Sequence, residues 1–163
     1  MLDTFHVCGV HLQPGQFSTR IATVDTSDFR HFILMDSVEY LSMAGVLYRL
    51  PRFAPSDLAS IPEACWSLLS PAGRDGAEYA LAAYGHDCAY QNTLLVWPAT
   101  ALPPTVVVPN DNTGWVKAAL LKPDCDLLLK EMMLACLVPA VIVETIYEAV
   151  NLAGQSSFNE DRS

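Results

Sequence analysis

Two short words in the chain hold residues whose types and spacing suit acid–base chemistry: His86-Asp87-Cys88-Ala89-Tyr90 and Asp124-Cys125-Asp126. On a helix, His86 and Tyr90 are four apart and share a face, while Asp87 points about 100° away. A second helix opening at Pro123, packed antiparallel to the first, would bring Asp126 to the His86 ring. A carboxylate on one imidazole nitrogen fixes the tautomer and leaves the other nitrogen as a base. Tyr90 can hold the same carboxylate through its hydroxyl, which leaves Asp87 to face a metal or a loop. A plainer expectation stands beside this one. A histidine on an alanine-rich face is often a core residue satisfied by one hydrogen bond, and an aspartate near a helix start often answers the helix dipole. Asp57 divides the same way: a third carboxylate beside His86 for a transition metal, or, with Ser56, the cap of a local turn. His6, His11 and His31 fall at no ligand spacing.

The elements that must position these residues follow from periodicity and punctuation. Residues 17–24, 31–41 and 46–50 alternate or are rich in β-formers, and the turn Ser42 to Gly45 separates the last two. They predict three antiparallel strands. Ser60, Pro62 and Glu63 have the spacing of a helix start, for a short helix through Leu69. Asp75 to Gln91 reads as the helix that carries His86, and Ala82, Ala83 and Gly85 let another helix approach closely. Residues 92–121 read as an excursion in the form of a proline-broken hairpin, with short strands at 94–97 and 105–108 and a helical turn from Trp115 to Leu121. Pro123 opens the helix of Asp126, running to about residue 137, and a last helix spans 140–153 and ends at Gly154. The tail 155–163 is expected to be loose. The fold class is therefore α+β: an N-terminal antiparallel sheet (1–50) packed on the three or four helices of a core at 60–154, in one domain spanning 1–163.

Composition narrows the function classes. Of 163 residues, 52% are apolar, enough for a real core. The net charge of −9 disfavours nucleic acid and weakens attraction to anionic membranes. Five cysteines with no CxxC pair argue for buried thiols rather than a disulfide framework or a zinc knuckle. The N-terminus lacks a basic stretch followed by an apolar run, and Lys130, Glu131 and Pro139 interrupt the most apolar region. The expected location is the cytosol or a particle assembled there.

From Leu47 onward the chain resembles a phage and prophage family catalogued as domain of unknown function 1353. The matching words are Ser56-Asp57-Leu58-Ala59-Ser60-Ile61-Pro62, then Ala82 through Tyr90, then Asp126 with Met133, and last Ala149-Val150 with Gly154. Ser56, Leu58 and Cys125 depart from that family's pattern. The resemblance implies a phage origin.

A narrower likeness lies in His86-Asp87-x-x-Tyr90 on one helix and Asp126 on its antiparallel neighbour, which resemble the core of phospholipase A2. What that implies is His86 as the base that activates water, Asp87 as a calcium ligand, and Tyr90 and Asp126 as orienters of the histidine. Calcium takes six or more oxygens, supplied in those enzymes largely by a glycine-rich loop. The nearest counterpart here is Ser70 to Gly76, and Cys88 sits one place too early for the enzymes' disulfide pattern.

Three expectations follow. The first is a virion-associated component of a tail or tail tip, bound to other phage structural proteins, with Trp97 and Trp115 on its contact surface. The second is a phospholipase A2-like or other hydrolase that uses His86 and acts on phospholipid; no cofactor is implied apart from the calcium of that likeness. The third is an acidic, host-directed counter-defence binder.

Overall fold

The computed structural model describes residues 5–7, 10–19, 24–26, 32–56, 63–68, 79–98, 107–108 and 111–162. Its strands are β1 (Phe5–Val7), β2 (Val10–Leu12), β3 (Gln16–Phe17), β4 (Val24–Thr26), β5 (Phe32–Leu34), β6 (Val38–Leu41), β7 (Leu47–Leu50), β8 (Pro55–Ser56), β9 (Leu95–Val96), β10 (Val107–Val108) and β11 (Val116–Lys117). Its helices are α1 (Ala80–Tyr90), α2 (Lys122–Ala135), α3 (Ala140–Ala153) and α4 (Gln155–Glu160), with a 3-10 helix at Glu63–Leu68. The fold is mixed α+β, with most strands before the helices, as the patterning predicts.

The strands form three sheets: β10-β1-β2, β11-β9-β7-β6-β3 and β4-β5-β8. The five-stranded sheet is antiparallel throughout and grows from the β6–β7 hairpin. Ser42 and Gly45 make its turn: the Val46 N–H donates to Ser42 Oγ, and Gly45 takes the left-handed conformation the turn demands. Every residue of β6 is buried, Glu39 included. Its directly opposite partner is Arg49 of β7, whose Nε donates to Glu39 Oε1 at 2.7 Å, so this doubly covered strand carries its charge as a pair.

The strand boundaries differ from those of the sequence reading. The run 31–41 is not one strand but two, because the chain bends at Met35 and Asp36 and sends β5 and β6 into different sheets. Likewise Phe17 and Val24 end up in different sheets. Within 92–121, β10 joins β1 in another sheet, while β9 and β11 pair antiparallel, as in a hairpin, and β9 also pairs with β7, so these two strands extend the five-stranded sheet rather than stand apart from it. That pairing also explains why Trp115 to Leu121 is not helical. Val116 and Lys117 lie opposite Val96 and Leu95, and the Ala118 N–H donates to the Leu94 carbonyl. The helix starts at Ser60 and Asp75 lie outside the described residues.

All of α1 except Asp87 is buried. Gly85 faces Met132 and Tyr90 faces Asp126, so α1 and α2 run in opposite directions. Gly85 permits this closeness, since a Cβ there would press on the Met132 thioether. Pro123 sits in the first turn of α2, and α3 begins after Pro139 and ends at Gly154, as expected. The tail is not loose. Residues 155–160 form α4, because Arg162 anchors it to three carbonyls of the helical core. No helix among the described residues is long and apolar enough to cross a membrane.

Candidate functional site

Helix α1 carries His86 and Tyr90 one turn apart, and their rings meet with centroids 4.0 Å apart. Asp126 stands in the second turn of α2, where it faces both. Its Oδ1 lies 3.1 Å from His86 Nε2 and accepts from the Tyr90 hydroxyl at 2.7 Å. Its Oδ2 accepts from Lys122 Nζ at 2.6 Å. The cluster lies deep: Asp126 is 0% exposed, His86 2% and Lys122 6%.

Electrostatics settle the protonation pattern. Burial alone would raise the Asp126 pKa, but donation from His86, Lys122 and Tyr90 outweighs it, and the carboxyl is held below its ordinary value of 3.8. An ionised carboxylate only accepts, so His86 Nε2 carries a proton. Burial, then the bond to Asp126, drive the Tyr90 hydroxyl well above its ordinary value, so it stays a donor. The remaining imidazole nitrogen, Nδ1, is buried and has no hydrogen-bond partner. A buried acceptor left unmade costs about 1–3 kcal/mol and calls for a reason.

Lys122 was not among the residues singled out from sequence. It lies four residues before Asp126, a helical ion-pair spacing, but the helix was read as opening one residue later, at Pro123. Its ammonium also donates to the carbonyls of Val150 at 3.4 Å and Asn151 at 3.1 Å, both near the end of α3. One side chain thus ties α3 to the Asp126 carboxylate.

The other sequence candidates fall elsewhere. Asp87 faces away from the cluster and accepts from Ser56 Oγ of β8. Asp57 and the Ser70–Gly76 stretch lie outside the described residues. Among the described residues no group of three or more His, Cys, Asp or Glu side chains can hold a metal ion. One carboxylate engaged by a serine does not make a calcium site, so the described residues do not fit that ion.

Trp115 is not an exposed contact residue. It is buried with Leu12, Leu41 and Leu47 in a second core cluster, under the Arg49 guanidinium at 4.2 Å from its ring centroid. Trp97 meets it edge-on at 5.4 Å and remains half-buried. Of the two, Trp115 lies inside and Trp97 keeps part of its ring exposed.

Ser56 bonds Asp87, His86 and Tyr90 bond Asp126, Met133 is buried on α2, and Gly154 packs so close that a Cβ there would lie 2.5 Å from the Tyr90 hydroxyl oxygen. Comparison with protein-family models, with curated proteins and with solved structures finds no match to the chain.

Proposed function

We propose that the protein is a hydrolase of general-base type, with His86 Nδ1 as the base and an ester of a phospholipid as the substrate. The observation that carries this reading is the division of labour on one ring: Nε2 is held by an ionised carboxylate and Nδ1 has no partner. An imidazole so oriented takes a proton from water at Nδ1 while the water oxygen attacks the ester carbonyl, and returns that proton to the leaving alkoxide as the acyl–oxygen bond breaks. Asp126 stabilises the imidazolium that forms, and Tyr90 and Lys122 keep that carboxylate in place. Because Nδ1 is shut from solvent, substrate reaches it only after an element beside α1 moves. A phage setting belongs to the same proposal and rests on the resemblance to the phage and prophage family, while a lipid surface as the partner rests on the likeness to phospholipase A2.

A second reading has its own support. The Lys122–Asp126 pair is buried and His86 is almost wholly enclosed, which suits a polar lock that fixes three helices in a structural virion component. Hydrolysis of mixed phospholipid vesicles by wild type and by His86→Ala, each with calcium and with chelator, separates the two. Fatty-acid release by the wild type alone supports the hydrolase. No release in any condition, with the protein recovered in purified particles, supports the lock.

A further inference from the structure

We infer that the segment from Gly154 to Arg162 is a positioning clamp for the His86–Asp126 pair, with Arg162 as its positioning residue; this rests on the general-base reading above and extends it to a part of the chain remote from the base.

The clamp has two grips. The first is Arg162 itself. Its Nη2 donates to the carbonyls of Ala89 at 2.9 Å and Leu120 at 2.7 Å, and its Nε donates to that of Tyr90 at 3.1 Å. Ala89 and Tyr90 end α1, and Leu120 precedes α2. One rigid fork therefore joins the last turn of the helix that carries His86 and Tyr90 to the chain just before the helix that carries Lys122 and Asp126. A cation at the end of α1 also answers that helix's dipole. The second grip is apolar. Arg162 lies over the Phe158 ring, 4.4 Å from its centroid, and Phe158 meets the Tyr90 ring edge-on at 5.2 Å. Between the grips, Gly154 sits against the Tyr90 hydroxyl and the Lys122 side chain. The segment thus backs Tyr90 and Lys122, two of the donors that hold Asp126. Release of the clamp would let the two helix ends drift apart, and Asp126 would lose its fixed distance to Nε2.

The test reads the ring rather than the product. In the full-length, nitrogen-15-labelled protein, the exchange of the His86 Nε2 proton with water is measured by magnetic resonance in wild type, Arg162→Gln, Phe158→Ala and Arg162→Lys. Leu41→Val, which thins the second core cluster, supplies a comparison variant with a lowered unfolding midpoint and an untouched clamp. The expected result is exchange about tenfold faster in Arg162→Gln and Phe158→Ala, as for a local opening, with partial recovery in Arg162→Lys and no change in Leu41→Val. Exchange in both clamp variants equal to wild type, or moved no further than in Leu41→Val, overturns the clamp. If Arg162→Gln does not fold, Phe158→Ala decides alone. Faster exchange in a protein that hydrolyses no vesicle keeps the clamp and removes the hydrolase. Hydrolysis with unchanged exchange does the reverse.

Discussion

Lys122 Nζ and Asp126 Oδ2 lie 2.6 Å apart, one turn apart on α2, and both are buried. The lysine makes the carboxylate tolerable there: without it, the negative charge would be held only by its bonds to His86 and Tyr90. Lys122→Met should therefore cost about 3–5 kcal/mol, the usual loss when one member of a buried pair is removed. The measurement is the urea midpoint at unchanged slope. Adding Asp126→Asn removes the stranded charge and should return part of the loss. A cost below about 1 kcal/mol, the range of surface pairs, would mean that the ion pair does not hold the cluster.

Acid should loosen the same cluster. The folded Asp126 carboxyl titrates below its ordinary 3.8, so its contribution to stability is present above that value and disappears as pH falls through the lower, folded one. Urea midpoints recorded between about pH 6 and pH 2 should fall more steeply for wild type than for Asp126→Asn. Parallel curves would remove Asp126 from the acid limb.

At the alkaline end the sign reverses. Burial pushes the thiols of Cys88 and Cys125 from 9.0 up to about 12. Their contribution is full below pH 9.0 and is lost as pH rises towards about 12. Near neutrality both are neutral thiols, which are poor nucleophiles. Alkylation of these two cysteines, mapped by mass spectrometry, should follow the unfolding curve in urea. Rapid labelling of either in the native protein would contradict their burial.

Gly85 sets how closely α1 approaches α2. A methyl group there meets the Sδ and Cε of Met132, whose side chain is fully buried. Gly85→Ala should cost about 1–3 kcal/mol by overpacking, despite alanine's better helix propensity. Met132→Ala in the same chain should recover part of that loss. A stabilised single variant would show that the thioether swings clear.

The meeting of His86, Tyr90 and Asp126 was legible in the sequence because helical spacing alone puts the first two on one face, and because Pro123 marks where the second helix opens. Lys122 was not, since its role depends on the end of α3, nearly thirty residues away, and no local pattern records that. The same holds for the tail. Its polar residues show no periodicity, and what orders it is a guanidinium that finds carbonyls on α1 and before α2. Strand runs were legible as β but not as sheets: 31–41 reads as continuous, and only the bend at Met35 and Asp36 divides it. Trp115 looked like a surface anchor because a tryptophan in a proline-broken stretch has no periodic face, whereas packing on Leu12, Leu41 and Leu47 and stacking under Arg49 draw it inside.

The parallel pairing of β1 with β10 sets His6 against Val107. During synthesis at about 5–20 residues per second, the ribosome needs roughly 5–20 s to travel between those two positions. By then α1 has already been made. For that interval the β1–β2 pair has one unfilled edge, the kind of exposed row of backbone groups that recruits stray strands. The first strands to emerge therefore wait for a partner translated after the His86 helix, and the nascent chain is most exposed to mispairing in that window.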